Sequence, residues 1–262
     1  MNTSGLIKAI HTRRSVRNYL DQPLSKAHLH ALLQFVDTLE TPFESDVTIS
    51  LHQGENYMPF KGPGCFAAFR SGAGIVSQAK TGFAGELFIL EAERMGIGTC
   101  WYGHYNREAV HQAVYGIPQP DADRMIHAIT PLGYHPEKPK GLSDRITKII
   151  FGGRNTVDEN LHPESIKRFP AYIRSALELA CLAPSAMNSQ CWQFRVSEGT
   201  TGFTVEIGKP AGYRHFKWKY PDIDVGTAAC HFWLGILDSD KKADVCVREE
   251  SGRAVWTLNL PE

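Results

Sequence analysis

Three guanidiniums and a hydroxyl fall within five residues at Arg13-Arg14-Ser15-Val16-Arg17. Guanidinium forks match phosphate oxygens two bonds at a time, so this cluster suits an anion; a solvated, charged helix end would read the same way. A second polar stretch is Ala183-Pro184-Ser185-Ala186-Met187-Asn188-Ser189-Gln190-Cys191-Trp192, set between an apolar helix pattern and an apolar strand pattern. Polar groups there need partners: Ser185, Asn188 and Gln190 can tie down the turn or offer hydroxyl and amide groups to a flat heterocycle. In Gly98-Thr99-Cys100-Trp101-Tyr102-Gly103-His104-Tyr105 a strand pattern breaks at Gly103, where a flat ligand could approach the backbone and its N–H groups. The alternative is an ordinary strand end with Trp101 in the core. Finally, Pro131-Leu132-Gly133-Tyr134 runs into Pro136, Lys138, Pro139, Lys140 and Arg145, a strand followed by a basic arm.

Other chemistries find less support. The eleven histidines include no His-Glu-x-x-His, and His28 and His30, two apart on a helix, diverge, so no metal is expected. There is no Gly-x-Ser-x-Gly elbow for a serine nucleophile. Gly72-Ala73-Gly74-Ile75-Val76-Ser77 lacks the third glycine of a dinucleotide fingerprint and reads as a flexible loop. The six cysteines form no Cys-x-x-Cys pair and are expected to be reduced and structural.

The elements that must carry these residues follow from period. A short helical stretch with Leu6, Ile7 and Ile10 precedes the arginine cluster. Ser25 caps a helix over about 26–39 with Leu29, Leu32, Leu33, Val36 and Leu39 at helical spacing. Val47 to Leu51 and Cys65 to Arg70 read as strands. Gly82 to Met95, apolar on almost every face, predicts a buried helix closed by Gly96. Ile97 to Tyr102 and Met125 to Leu132 read as core strands.

After a Gly- and charge-rich connector, the order restarts. Pro170 opens a helix that Pro184 closes, and Trp192 to Val196 with Phe203 to Ile207 form a hairpin. Val225 to Ile236 gives a second buried helix, and Val245 to Val247 and Ala254 to Leu258 two more strands. Leu29 and Ile173 hold equivalent places, an offset of roughly 144 residues, which is too long for a solenoid and points to a duplicated half. Two α+β units would pack most simply about a pseudo-twofold axis, with any site at their interface built from both.

The 262 residues carry 28 basic and 28 acidic side chains, split evenly along the chain, and 42% of them are apolar. Those are the proportions of a globular protein, with no bulk charge to hold a nucleic acid and no apolar run long enough to span a bilayer. A cytoplasmic location is expected.

Arg-Arg-Ser-x-Arg, Ala-Pro-Ser-Ala-x-Asn-x-Gln-x-Trp, Gly-x-Gly-Thr-x-Trp-x-Gly and Leu-Gly-Tyr-x-Pro-x-x-x-Pro together resemble the FMN-dependent nitroreductase family. In ordinary members two chains build two interfacial flavin sites, the phosphate arm coming from one subunit and the Pro-Ser loop from the other. Here the first copy has the arm, strand end and basic tail, but Thr41-Pro42-Phe43-Glu44-Ser45 stands where its Pro-Ser loop would be; the second copy has only the loop.

The resemblance implies an α+β, nitroreductase-like fold of two duplicated halves packed as an intramolecular pseudo-dimer. Residues 1–150 would form the first half, 151–162 a connector and 163–262 the second half, together holding one FMN. It implies that Arg13, Arg14, Ser15, Arg17 and Arg145 hold the phosphate and ribityl chain. The break at Gly103 and His104 would present an N–H to flavin N5, and Pro184, Ser185, Ala186 and Asn188 would approach from the other half. Lys61 or Asn56 would stand near N1 and O2. Two departures are Cys191 for a usual proline and Ser143 where a second cation is common.

The implied activity is ping-pong transfer of electrons from NAD(P)H through FMN to a nitroaromatic, quinone or similar small acceptor, with no protein acid or base needed for the hydride step. The alternative is an FMN-binding module without turnover. A nucleic-acid partner is not expected.

Overall fold

The computed structural model describes residues 2–59, 61–116, 125–136 and 153–261. Helix α1 (Thr3–Thr12) carries the arginine cluster at its C-terminal end, and α2 (Lys26–Asp37) starts at Ser25, whose hydroxyl accepts His28 N–H at 3.1 Å. Strands β1 (Thr48–Gln53) and β2 (Cys65–Ser71) lead into α3 (Ile75–Arg94), followed by α4 (Arg107–Tyr115) and β3 (Met125–Pro131). The second part contains α5 (Val157–Asn160), α6 (Ala171–Cys181), the hairpin β4 (Gln193–Gly199) and β5 (Gly202–Gly208), α7 (Pro221–Asp238), β6 (Asp244–Glu250) and β7 (Arg253–Pro261). The architecture is α+β: two antiparallel sheets, ordered β1-β2-β3 and β4-β5-β7-β6, with the helices packed between and around them.

Two expectations need correction. Helix α3 begins at Ile75 rather than Gly82, so Ile75 to Ser77 are its first turn instead of loop; its far end closes as expected, with Gly96 at φ +75°. Ile97 to Tyr102 is not a strand. It touches the β3 edge only at Gly98–Gly133 and Tyr102–Ile129, because between them Cys100 N–H donates to the Thr130 hydroxyl at 3.0 Å and the backbone ladder is interrupted. The connector holds helix α5, whose N-terminus is capped by a reciprocal box between Thr156 and Glu159.

With 97–102 counted as an edge, both sheets run in one sequence of elements: hairpin, long helix, outer edge, inner strand. The long helices α3 and α7 cross at the centre, each buried along most of its length. Gly82 lies against the Ile223 carbonyl and Gly226 against the Ala79 carbonyl, and a Cβ at either glycine would overlap that oxygen. The two contacts are related by the same 144-residue offset. Only glycine permits so close a crossing.

The largest apolar cluster spans this crossing. Leu6, Ala9 and Ile10 of α1 and Phe83 and Leu87 of α3 pack with Ile173, Leu177, Val225, Ala229 and Trp256 from the later part of the chain. Helix α1 is thereby held at the seam where α3 crosses α7, and the arginines that follow it emerge there.

Candidate functional site

Between α1 and the body, Val16 N–H donates to Thr99 O at 2.8 Å, so the arm lies alongside the segment that leads to Gly103. This fixes where its side chains go. Arg13 turns inward: its side chain is 5% exposed, and Nε, which makes no hydrogen bond, lies 3.7 Å from Glu86 Oε1. Arg14 reaches His135 Nδ1 at 2.9 Å and Pro136 O at 3.2 Å, tying the arm to the end of β3. The Ser15 hydroxyl bears on the buried Cys100 thiol, lowering a pKa that burial raises. Arg17 is exposed and its charge acts on Tyr102, where burial lifts the phenol pKa and the guanidinium opposes the rise. Arg145 lies outside the described residues, as do Lys138, Lys140 and Ser143.

The Pro-Ser loop sits across the seam. Its backbone is bent sharply: Met187, Asn188 and Gln190 have φ of 52°, 55° and 45°. Much of its polar inventory holds that shape. Ser185 Oγ accepts Gln190 N–H at 2.9 Å, Asn188 Nδ2 donates to Gly153 O at 2.7 Å, and Gln190 takes Asn155 N–H at 2.8 Å while donating to Gly153 O. The turn-tying role weighed for these residues is thus realised. Pro184 O accepts the Thr227 hydroxyl, and Ala186 N–H is bound by Asp224 Oδ2 at 3.0 Å, so helix α7 anchors the loop from below.

Arg154, just after the undescribed segment, donates to Ala183 O at 2.6 Å at the start of this loop. Burial, with the Arg13 charge second, pulls its pKa down to about 10. The Arg13 charge thus acts on a residue bonded at the start of the Pro-Ser loop, although the two are far apart in sequence. Asp224 is fully enclosed; burial first, then the Asp222 charge, pushes its carboxyl up to about 8 against the Ala186 hydrogen bond. Asp222 is held by Lys209 and by Ala254 N–H.

Gly103 faces the indole of Trp218, and a Cβ there would overlap the ring. His104 Nε2 donates to Lys217 O at 3.0 Å from the same segment. The space a side chain at Gly103 would take is thus filled by the Trp218 ring, which lies against the backbone only because residue 103 is glycine. Lys61 is elsewhere in character: its ammonium pairs with Asp21 at 3.1 Å, both side chains more than 80% exposed, on the wall of a groove of about 460 Å³ that also includes Tyr19 and Gln53. Asn56 occupies a left-handed turn with φ 55°.

Sequence reasoning missed Glu86, His231, Asp224, Arg154 and Trp218. The first two had a signal, since a chargeable side chain on a helix buried all round needs a partner. Glu86 Oε2 accepts Trp101 Nε1 at 2.8 Å, and Oε1 lies 3.0 Å from His231 Nε2.

The donor set suits an anionic, flat cofactor such as FMN. Arg13 keeps an unbonded buried Nε–H at the seam, Arg17 presents an exposed guanidinium that hydrogen-bonds Tyr102, and Gly103 offers backbone without a side chain. Among the described residues, no group of three or more His, Cys, Asp or Glu side chains could hold a metal ion, and no helix is long and apolar enough to cross a membrane. All six cysteines are free.

A family model described as "Putative TM nitroreductase" matches residues 5–236. Among solved structures, a "putative nitroreductase" of Thermotoga maritima msb8 is similar over 97% of this chain and 92% of its own, at 19% identity and a TM-score of 0.64. An FMN-dependent nitroreductase of Clostridium difficile R20291 aligns with 53% of this chain and 93% of its own, at 17% identity and a TM-score of 0.41. No curated protein sequence matches the chain.

Proposed function

The chain belongs to the TM nitroreductase family, and from that premise we propose that it is an FMN-dependent oxidoreductase taking electrons from NAD(P)H and passing them to a nitroaromatic, quinone or similar small acceptor. We read it as a pseudo-dimer in one chain, residues 1–150 and 163–262 forming the halves and 151–162 joining them, with a single site at the seam. The observation that carries this reading is that the helix bearing the arm and the Pro-Ser loop share one apolar cluster, with Leu6, Ala9 and Ile10 in it together with Ala183 and Cys191; Arg154, bonded to Ala183 O, feels the Arg13 charge.

Bound FMN would supply the hydride chemistry, accepting two electrons from the nicotinamide and yielding them to the acceptor. In this reading Arg13, Arg14, Ser15 and Arg17, with Arg145 from the basic arm, hold the phosphate and ribityl chain. The N–H groups at Gly103 and His104 orient the ring edge. Pro184, Ser185, Ala186 and Asn188 cover the ring from the other half and exclude water. No side chain need move a proton for the hydride step, so binding and orientation are the protein's contribution.

Flavin released from the denatured protein, quantified per chain, tests the proposal together with steady-state NAD(P)H oxidation. One FMN per chain with turnover is expected. Two per chain would overturn the single-site reading, FMN without NAD(P)H oxidation would leave a flavin-binding module, and a protein that takes up no FMN would overturn the flavoenzyme itself.

A further inference from the structure

Glu86 and His231 are both completely buried, the first on α3 and the second on α7, and hydride transfer uses neither. His231 Nδ1 lies 3.1 Å from Leu179 O, and since a carbonyl oxygen only accepts, Nδ1 carries a hydrogen. The 3.0 Å contact between His231 Nε2 and Glu86 Oε1 then needs one further proton. Both Glu86 oxygens face donors, Trp101 Nε1 at Oε2 and Arg13 Nε beside Oε1, so the proton rests on the imidazole, giving imidazolium and carboxylate.

The partners of this pair come from the arginine arm, from the segment that leads to Gly103 and from the helix that leads into the Pro-Ser loop. Trp101 is two residues before Gly103 and donates to Glu86 Oε2. Arg13 belongs to the arm, with Nε 3.7 Å from Glu86 Oε1. Leu179 lies on α6, the helix that runs directly into the Pro-Ser loop. We propose that Glu86 and His231 are positioning residues that pin the two halves in register and hold the Arg13 guanidinium at the anionic end of the ligand. This inference rests on the FMN reading and deepens it.

The electrostatics explain why Arg13 needs such a pin. Arg154 stands close enough for the two guanidiniums to disfavour each other, and Glu86 is the carboxylate that opposes this repulsion. Without its charge, Arg13 is left as an uncompensated cation in the seam and turns toward solvent. The aromatic and backbone surfaces that meet the ring are affected less, because the amide of a glutamine can still accept from Trp101.

Titrations of FMN and of riboflavin, which has no phosphate, against the full-length protein separate the two roles by flavin fluorescence quenching. Glu86→Gln should weaken FMN at least about tenfold while changing riboflavin less than about threefold. Arg13→Ala should do the same, and adding it to Glu86→Gln should cost little more. His231→Gln, which keeps the Glu86 charge, should fall between wild type and Glu86→Gln, and it carries the test if Glu86→Gln does not fold.

Equal losses for FMN and riboflavin would reduce the pair to a structural role and overturn the proposal, as would an unchanged or tighter FMN affinity. Those results leave the flavin reading standing. Wild-type protein that binds neither flavin overturns that reading and the pin with it.

Discussion

The stretches that lead from α6 and from α2 toward the two hairpins end in opposite chemistry. After α6, residues 183–191 form a polar loop bent through three left-handed residues and tied to Gly153, Asn155 and Asp224. After α2, residues 41–45 place Phe43 against Phe83 and Trp256, ring centroids 5.0 Å away in each case, with Lys80 donating to Glu44 O beside it. The same position in the topology is thus a polar, preorganised loop on one side of the seam and an apolar plug on the other. Packing can thus be symmetric, as at Gly82 and Gly226, while polar groups are concentrated at one of two corresponding places.

The largest expected effect tests how much the polar side depends on a buried acid. Asp224 ionises near 3.8 when unfolded and at about 8 in the fold, because burial and then Asp222 disfavour its charge. A raised acid contributes stability that is complete below the unfolded value, declines through the interval and is lost as pH passes the folded value. Asp224→Asn keeps an acceptor for Ala186 N–H and removes this titration. Wild type should therefore lose stability relative to the variant as pH rises from about 4 to about 8, by several kcal/mol in order of magnitude. Denaturant melts on both sides of that window check it. A pH-independent difference would mean that the loop rests on a carboxylate already ionised.

The next two changes set the halves directly against each other. Arg13→Ala removes a guanidinium assigned to the phosphate and should cost FMN binding about 2–3 kcal/mol, on the order of a hundredfold, measured by flavin fluorescence. Phe43→Ala empties a half-buried aromatic position and should cost folding about 2 kcal/mol in a denaturant melt while leaving FMN per chain unchanged. If instead Phe43→Ala abolished FMN uptake, the apolar side would be part of the site and the contrast would fail.

How much of this was legible in the sequence depends on whether a group's partner is local. The Ser25 cap, the Gly96 closure, the β4–β5 hairpin and helix α7 each follow from neighbours a few residues away, and they were found nearly in place. The strand expected over Ile97 to Tyr102 failed because Thr130, thirty residues on, takes the Cys100 N–H. Glu86 and His231 lay hidden among apolar neighbours, and their meaning appears only once α3 crosses α7. Of the assigned site residues, Arg13 and the Pro-Ser loop come together at the seam, Gly103 meets Trp218, and Lys61 stands at the surface.

Lys61 gives the smallest and most discriminating change. Its partner Asp21 is as exposed as it is, and water screens such a pair so well that its removal should leave the thermal midpoint within about a degree. As a group near flavin N1 and O2, by contrast, it would favour the reduced, anionic ring, so its loss would lower the flavin midpoint potential as well as weaken binding. Since the structure pairs it at the surface, Lys61→Ala should leave FMN affinity within about threefold and the potential unchanged. A clear drop in potential in a spectroelectrochemical titration would extend the site into the groove beside Tyr19. The polar side of the comparison would then reach well beyond the Pro-Ser loop and the arginine arm.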